Sequence, residues 1–257
     1  MTVSDYERHL IGQLCWHCHE ATRPSHRRQR RCPACRRKWS YERRRVRWEL
    51  LKAFCLTATA HHAARQVRCA YPTAYRAFAD SRATLARLTA EERRPMLGEL
   101  ELDESYFGGK RKGKRGRGAA GKVAVFGVLE RAGKVYTVAV PDCKKETLMA
   151  KIEAATVKGS VFYTDEFASY NDLERFGKHV PIDHQAEFAD GAAHINGLEG
   201  FWSFAKGLHR PCHGVDRENF PTYLAEYEFR YNHRHDHLIT ILFEATIRPQ
   251  LIKDGLA

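Results

Sequence analysis

Residues 99–107 read ELELDESYF, and the fold turns on how that stretch is read. The helical periodicity of the preceding residues stops here and a strand begins. Asp103 sits in its middle, a costly place for a charge unless something compensates for burial. Outward from it, VAVFGVLE (123–130) and KVYTVAV (134–140) read as strands joined by the tight RAG turn, a hairpin. KKETLMAKIEAATV (144–157) has helical periodicity, and VFYTDE (161–166) is a buried-type strand. FASYNDLERF (167–176) reads as helical, KHVPIDH (178–184) as a short strand, and NGLEGFWSFAKGL (196–208) as a helix.

Three strands including a hairpin, then alternating helix and strand, predict an α/β (α+β) mixed sheet flanked by helices. That order matches the ribonuclease-H-like fold, here over residues 99–235, with 236–257 as a C-terminal helical tail. EERRPMLG (91–98) reads as a linker. Ahead of it, residues 49–90 are rich in Ala, Leu and Arg and read as a small helical domain, with Pro72 where a helix can begin. HHAARQV, a short RCAY break and PTAYRAFADSRATL form a helix-turn-helix candidate, with Tyr75, Arg76 and Arg82 as possible DNA contacts. A plain helical hairpin packing against its neighbours is the alternative.

Residues 13–48 carry Cys15-Trp16-His17-Cys18 and Cys32-Pro33-Ala34-Cys35, two CxxC knuckles 13 residues apart. Two such turns complete a tetrahedral site for one structural Zn²⁺, a zinc ribbon. Redox CxxC pairs would call for a surrounding βαβ pattern, which is absent. His17, His19 and His26 are available as substitute ligands, though four thiolates make them unnecessary. Cys55, Cys69, Cys143 and Cys212 lack such spacing and read as ordinary thiols.

The chain has 257 residues and eight cysteines, with no apolar run of membrane length. MTVSDYERHLIGQLC lacks the features of a signal peptide, which predicts a cytoplasmic, nucleoid-associated bacterial protein without a membrane partner. Net charge is +12, and it is concentrated. Residues 1–50 hold 13 Lys and Arg against 5 Asp and Glu; GGKRKGKRGRGAAGK (108–122) holds 7 basic residues and no acid. Two basic patches on an otherwise near-neutral chain are the footprint of a phosphate-backbone binder. Lys110, Arg111, Lys112, Lys114, Arg115 and Arg117 are therefore candidate DNA contacts.

Asp103, Asp165 and Glu199 fall on the first strand, on a later neighbouring strand and on the following helix. They can converge at one edge of the sheet. Clustered carboxylates repel and need cations, and hard Mg²⁺ (or Mn²⁺) favours oxygen ligands. Two such ions about 4 Å apart activate a water or 3′-hydroxyl for in-line attack on phosphorus. Asn196, Glu199 and Lys206 share one face of their helix, offering an amide, a carboxylate and an ammonium in line. Asn196 as N-cap with Glu199 three residues on would also make a capping box, so the third ligand stays open between Glu199 and Asn196. His184 and His194 lie near the acids in sequence and could orient them or be structural. Phe201 and Trp202 read as core packing, with stacking on an unpaired base as the alternative. Glu104 and Glu166 should point to the opposite face from their acidic neighbours.

LDESYFGGKRKGKRGRG, VFYTDEFASY, HINGLEGFWSFAKGLHR and FRYNHR together resemble the DDE-type insertion-sequence transposases that carry an N-terminal zinc ribbon. The resemblance runs from Cys15 to about Arg234. It implies a ribonuclease-H-like catalytic domain whose two aspartates match Asp103 and Asp165. It also implies a third ligand matching Glu199 or Asn196, and a downstream lysine matching Lys206. The implied reaction is Mg²⁺-dependent cleavage at terminal inverted repeats and transfer of 3′ ends to target DNA. The partners would be double-stranded transposon ends and target, held by a homodimer or higher oligomer. A nuclease or resolvase of the same fold, and a DNA-binding regulator with an inactive catalytic domain, are the competing readings.

Overall fold

The Thr2 hydroxyl accepts the Asp5 N–H at 3.0 Å, and the Asp5 carboxylate takes the Thr2 N–H in return at 3.2 Å. This capping box opens α1 (Val3–Leu10) in the computed structural model of the protein. In chain order there follow β1 (Arg23–His26), β2 (Gln29–Arg31), β3 (Lys38–Ser40), α2 (Glu42–Cys55), α3 (Ala60–Val67) and α4 (Tyr71–Glu92). Then come β4 (Glu99–Phe107), β5 (Val123–Glu130), β6 (Val135–Val140), α5 (Lys145–Ala155), β7 (Ser160–Thr164) and β8 (Gly177–Pro181). The remaining helices are α6 (Asn196–His209), α7 (Phe220–Asn232), α8 (Leu238–Leu242) and α9 (Arg248–Lys253). The structure describes residues 1–11, 13–26, 29–40, 42–108, 122–131, 133–165, 170, 172–182 and 196–254. Among the described residues no helix is long and apolar enough to cross a membrane.

The chain divides into two units, Met1–Leu85 with His235–Ala257, and Ala86–Arg234. In the first, β1, β2 and β3 form an antiparallel sheet around the cysteines. The Tyr6 ring of α1 meets Trp16, Trp48 and Phe243 edge-on, with centroids 5.5, 5.2 and 5.3 Å away. The Trp48 indole also donates to Glu7 at 3.0 Å. The cysteine-rich segment, α2 and the C-terminal residues thus share one core with α1, where composition alone drew separate segments. Composition follows the chain, whereas a core is built from residues far apart along it.

Thr59 caps α3 by accepting the His62 N–H at 3.2 Å. Arg68 ends that helix in the left-handed region, at φ 58°, and α4 starts three residues later. Arg82 corrects the sequence reading. It is only 9% exposed, and its guanidinium lies over the Phe54 and Phe78 rings at 5.6 and 6.0 Å. Held inside by cation–π contacts, it is not presented to a DNA backbone. Arg76 is exposed on the same helix, its Nε donating to the Pro72 carbonyl at 3.3 Å. Tyr75 beside it is exposed as well.

In the second unit the described strands pair in the order β6-β5-β4-β7-β8. β4 runs antiparallel to β5 and parallel to β7, and β8 is parallel to β7. This is the mixed sheet expected from the element order. Leu100 and Leu102 face a core with Phe126, Val128, Leu148, Ile152 and Phe162. Phe107, Val125 and Leu129 face the other way, against Leu198, Phe201, Trp202 and Tyr227. Both faces of β5 are covered, which is why VAVFGVLE is nearly continuous apolar sequence.

The FRYNHR block has a structural role that its motif character does not announce. β6 is an edge strand, and its outward backbone groups need partners. Asn232 of α7 accepts the Val135 N–H at 2.8 Å and donates to the Val135 carbonyl at 2.9 Å. Glu228 accepts both the Thr137 N–H and its hydroxyl, at 2.8 and 2.6 Å, while Arg93 donates to the Thr137 carbonyl at 3.1 Å. Among the described residues, these side chains stand where a neighbouring strand would pair.

Candidate active site

Parallel pairing of β4 with β7 sets Glu99 opposite Val161, Leu100 opposite Phe162 and Glu101 opposite Tyr163. The paired register ends at Glu101 and Tyr163, so Asp103 and Asp165 each lie two residues beyond the last pair, on the same side of it. Asp165 follows directly on β7, where the strand ends. Asp103 lies on the β4 face that α6 covers, and the Trp202 indole of α6 donates to its Oδ2 at 2.9 Å. The Glu104 N–H donates to Oδ1 at 2.7 Å. Burial, with the Asp165 and Glu199 charges close by, pushes the Asp103 carboxyl up to about 6 despite those two donors. Asp165 and Glu199, the other two acids singled out in the sequence, are therefore close enough to Asp103 to bear on its charge.

Helix α6 reaches the sheet at two glycines. Gly127 pairs with Asp103 across β4 and β5, and a Cβ on it would stand 2.7 Å from the Trp202 ring. A Cβ on Gly197 would meet Leu129 at 2.7 Å and the Glu101 carboxylate at 2.8 Å. Glu101 is buried, and it accepts the Leu198 N–H in the first turn of α6 at 2.9 Å. That turn is thus capped from β4, and Asn196 is already its first helical residue rather than a cap. Asn196, Glu199 and Lys206 are all exposed on α6, and Phe201 and Trp202 are buried, as core packing requires. Glu104 faces the other side of β4, where the Tyr170 hydroxyl donates to it. Glu166, His184, His194 and the basic Lys110, Arg111, Lys112, Lys114, Arg115 and Arg117 lie outside the described residues.

Gly127→Ala gives a direct check on this packing. Its methyl would overlap the buried Trp202 indole, so unfolding free energy should fall by about 2 kcal/mol. Denaturant melts of wild type and variant would measure it, and an unchanged midpoint would mean that Trp202 is not seated as described.

The raised Asp103 carboxyl sets a pH dependence. Its value of about 6 lies above the ordinary 3.8, so the folded chain retains a proton that the unfolded chain releases. Without added Mg²⁺ or Mn²⁺, stability should therefore fall as pH rises from about 4 to about 6, by roughly 2–3 kcal/mol. Melting temperatures across that window would show the decline, and saturating Mn²⁺ should flatten it. A carboxyl with an ordinary value would give no decline there.

The second cluster is in the first unit. The sulfurs of Cys15, Cys18, Cys32 and Cys35 all lie within 4.8 Å of one another, with Cys15–Cys35 at 3.6 Å and Cys18–Cys32 at 3.4 Å. A tetrahedral ion with bonds of about 2.3 Å needs sulfurs about 3.8 Å apart, so the donor set fits. The His17 and Cys35 N–H groups donate to the Cys15 and Cys32 sulfurs, both at 3.4 Å, as they would to thiolates. His17 and His19 are engaged elsewhere, with Arg37 at 3.2 Å and His9 at 3.0 Å. The other four cysteines stand apart from this cluster.

Sequence reasoning missed Glu101, Tyr170 and the Trp202–Asp103 bond. A buried glutamate in an alternating strand looks like a solvated one until the helix that covers it is placed.

Residues 95–232, more than half the chain, match the family described as the ISXO2-like transposase domain. An uncharacterised transposase-like protein of Haemophilus influenzae is 37% identical over 125 residues, which cover 48% of this chain and 97% of that protein. An uncharacterised protein in transposable element ISH50 of Halobacterium salinarum is 26% identical over 157 residues, 53% of each chain. Of solved structures, the catalytic core domain of BIV integrase aligns at 8% identity and TM-score 0.34, over 60% of this chain and 99% of that one. The Mos1 transposase paired-end complex aligns at 12% identity and TM-score 0.29, over 76% and 79%. The family match takes in the whole β4–β8 sheet with α6 and α7, and the chain belongs to the ISXO2-like transposases.

Proposed function

We propose that this chain catalyses metal-dependent cleavage of DNA strands at the terminal inverted repeats of an insertion sequence, and transfer of their 3′ ends to a target. The observation that carries the reading is the buried Asp103 carboxyl, pushed up chiefly by burial and further by the Asp165 and Glu199 charges close to it. A cation would relieve the cost of charge on buried Asp103, and a hard oxygen-ligand site suits Mg²⁺ or Mn²⁺. Two bound ions would activate the attacking hydroxyl and stabilise the leaving oxygen. Asp103 and Asp165 would hold the ions from the sheet, and Glu199 or Asn196 would complete the ligand set from α6. Lys206, on the same exposed helix face, meets the phosphate beside the scissile bond. Trp202 keeps Asp103 in one rotamer.

DNA is held by charge, through Lys110, Arg111, Lys112, Lys114, Arg115 and Arg117 and through Arg76 on α4. One zinc ion in the four-cysteine cluster would supply structural order to the first unit. Two element ends must be joined in one event, so the working form is a homodimer or larger assembly on double-stranded DNA.

The test is strand joining. A labelled end fragment, a plasmid target and Mg²⁺ should yield joined product; cleavage without joining would indicate a nuclease or resolvase. Binding alone would indicate a regulator.

A further inference from the structure

The run ELDE at 101–104 holds three acids, of which the reaction needs only Asp103 as a ligand. The other two have definite occupations. Glu101 is 1% exposed; one oxygen takes the Leu198 N–H at 2.9 Å and the other stands 3.4 Å from Arg131 Nε. That arginine is itself held over the Tyr163 ring of β7, 3.5 Å from its centroid. One turn along α6 from Leu198, Trp202 makes its bond to Asp103. Residues 101 and 103 share a face of β4, and residues 198 and 202 share a face of α6. Two bonds one helical turn apart fix the helix in both position and rotation, and Glu199 lies between them.

On the opposite face, fully buried Tyr170 donates to Glu104. It is the first described residue after Asp165, so this bond ties the chain leaving β7 back to β4. An ion seeking Glu101 or Glu104 would have to displace these donors.

We propose that Glu101 and Glu104 are positioning residues that act through Trp202, Leu198 and Tyr170 to set Glu199 and Asp165 around Asp103 before any ion binds. This rests on reading Asp103, Asp165 and Glu199 as the ligands. Groups behind metal ligands commonly control affinity by fixing ligand orientation.

Mn²⁺ alone serves as the probe, titrated calorimetrically into the full chain. Tyr170→Phe keeps its ring and loses one donor, while Trp202→Phe loses its donor together with the pyrrole ring of the indole. Each should weaken Mn²⁺ binding about 10-fold or more. The melting temperature of Tyr170→Phe without Mn²⁺ should move by less than about 5 °C. Glu101→Gln, which still accepts the Leu198 N–H, should retain more affinity than Glu101→Leu. Mn²⁺ affinity within twofold of wild type in both ring variants overturns the proposal. If instead Asp103→Asn binds Mn²⁺ as wild type does, it is the ligand assignment that fails.

Discussion

Asn at position 103 or 165 should lower joining of a labelled end by about 10³-fold or more, because in-line transfer needs both ions of the pair. Binding of the same end fragment, read by gel shift, should stay within about twofold, since affinity rests on phosphate contacts elsewhere. The substitution is close to isosteric, and its structural cost can be bounded. Asp103 receives two N–H donors, from Trp202 and Glu104, and an amide can answer only one. The unanswered donor costs about 1 kcal/mol, far short of unfolding the protein. A collapse of joining with intact binding would therefore be chemical in origin. Joining that survived either change would remove that carboxylate from the reaction. The same assay separates the candidates on α6. If Glu199 is the third ligand, Glu199→Gln should behave like Asp103→Asn, whereas Asn196→Ala should keep most of the activity.

Much of this site is legible in the amino-acid sequence. β4 and β5 fall where ELELDESYF and VAVFGVLE place them, because a strand buried on one or both faces leaves a periodic or continuous apolar record. α6 is legible from its apolar stripe, and Asp103 from the cost of a charge in mid-strand. What stays hidden depends on contacts between distant residues. Glu101 and Leu198 are 97 positions apart, and nothing in ELELDE says which acid a helix will cover. Gly127 looks like a weak point in a strand and is instead the seat of an indole. Arg82 reads as a surface cation in a basic region; Phe54, from the preceding helical segment, draws it inward. The capping box of Thr2 and Asp5 is the exception, a local signal that is present in MTVSD and marks α1.

Cys32→Ser should have the other large effect, on the first unit rather than on the chemistry. Cys15 and Cys32 are fully buried, and Trp16, next to Cys15, is part of the ring cluster with Tyr6, Trp48 and Phe243. Zinc bound at the four sulfurs would therefore be coupled to the order of this core. The segment's own apolar content is small, and Zn²⁺ in comparable four-ligand sites supplies roughly 10 kcal/mol. A serine hydroxyl is a far poorer ligand than a thiolate, so zinc content should drop from one equivalent per chain towards none. Trp16 and Trp48 emission should shift to the red as their surroundings admit water. Proteolysis should become rapid within residues 1–85, and end binding should fall by about 10-fold or more as the basic surface loses its fixed geometry. A variant that kept its zinc, or lost zinc without disturbing the tryptophans, would show that the cysteines do not hold this core together. The burden would then fall on α1, whose Tyr6 touches every other ring in the cluster.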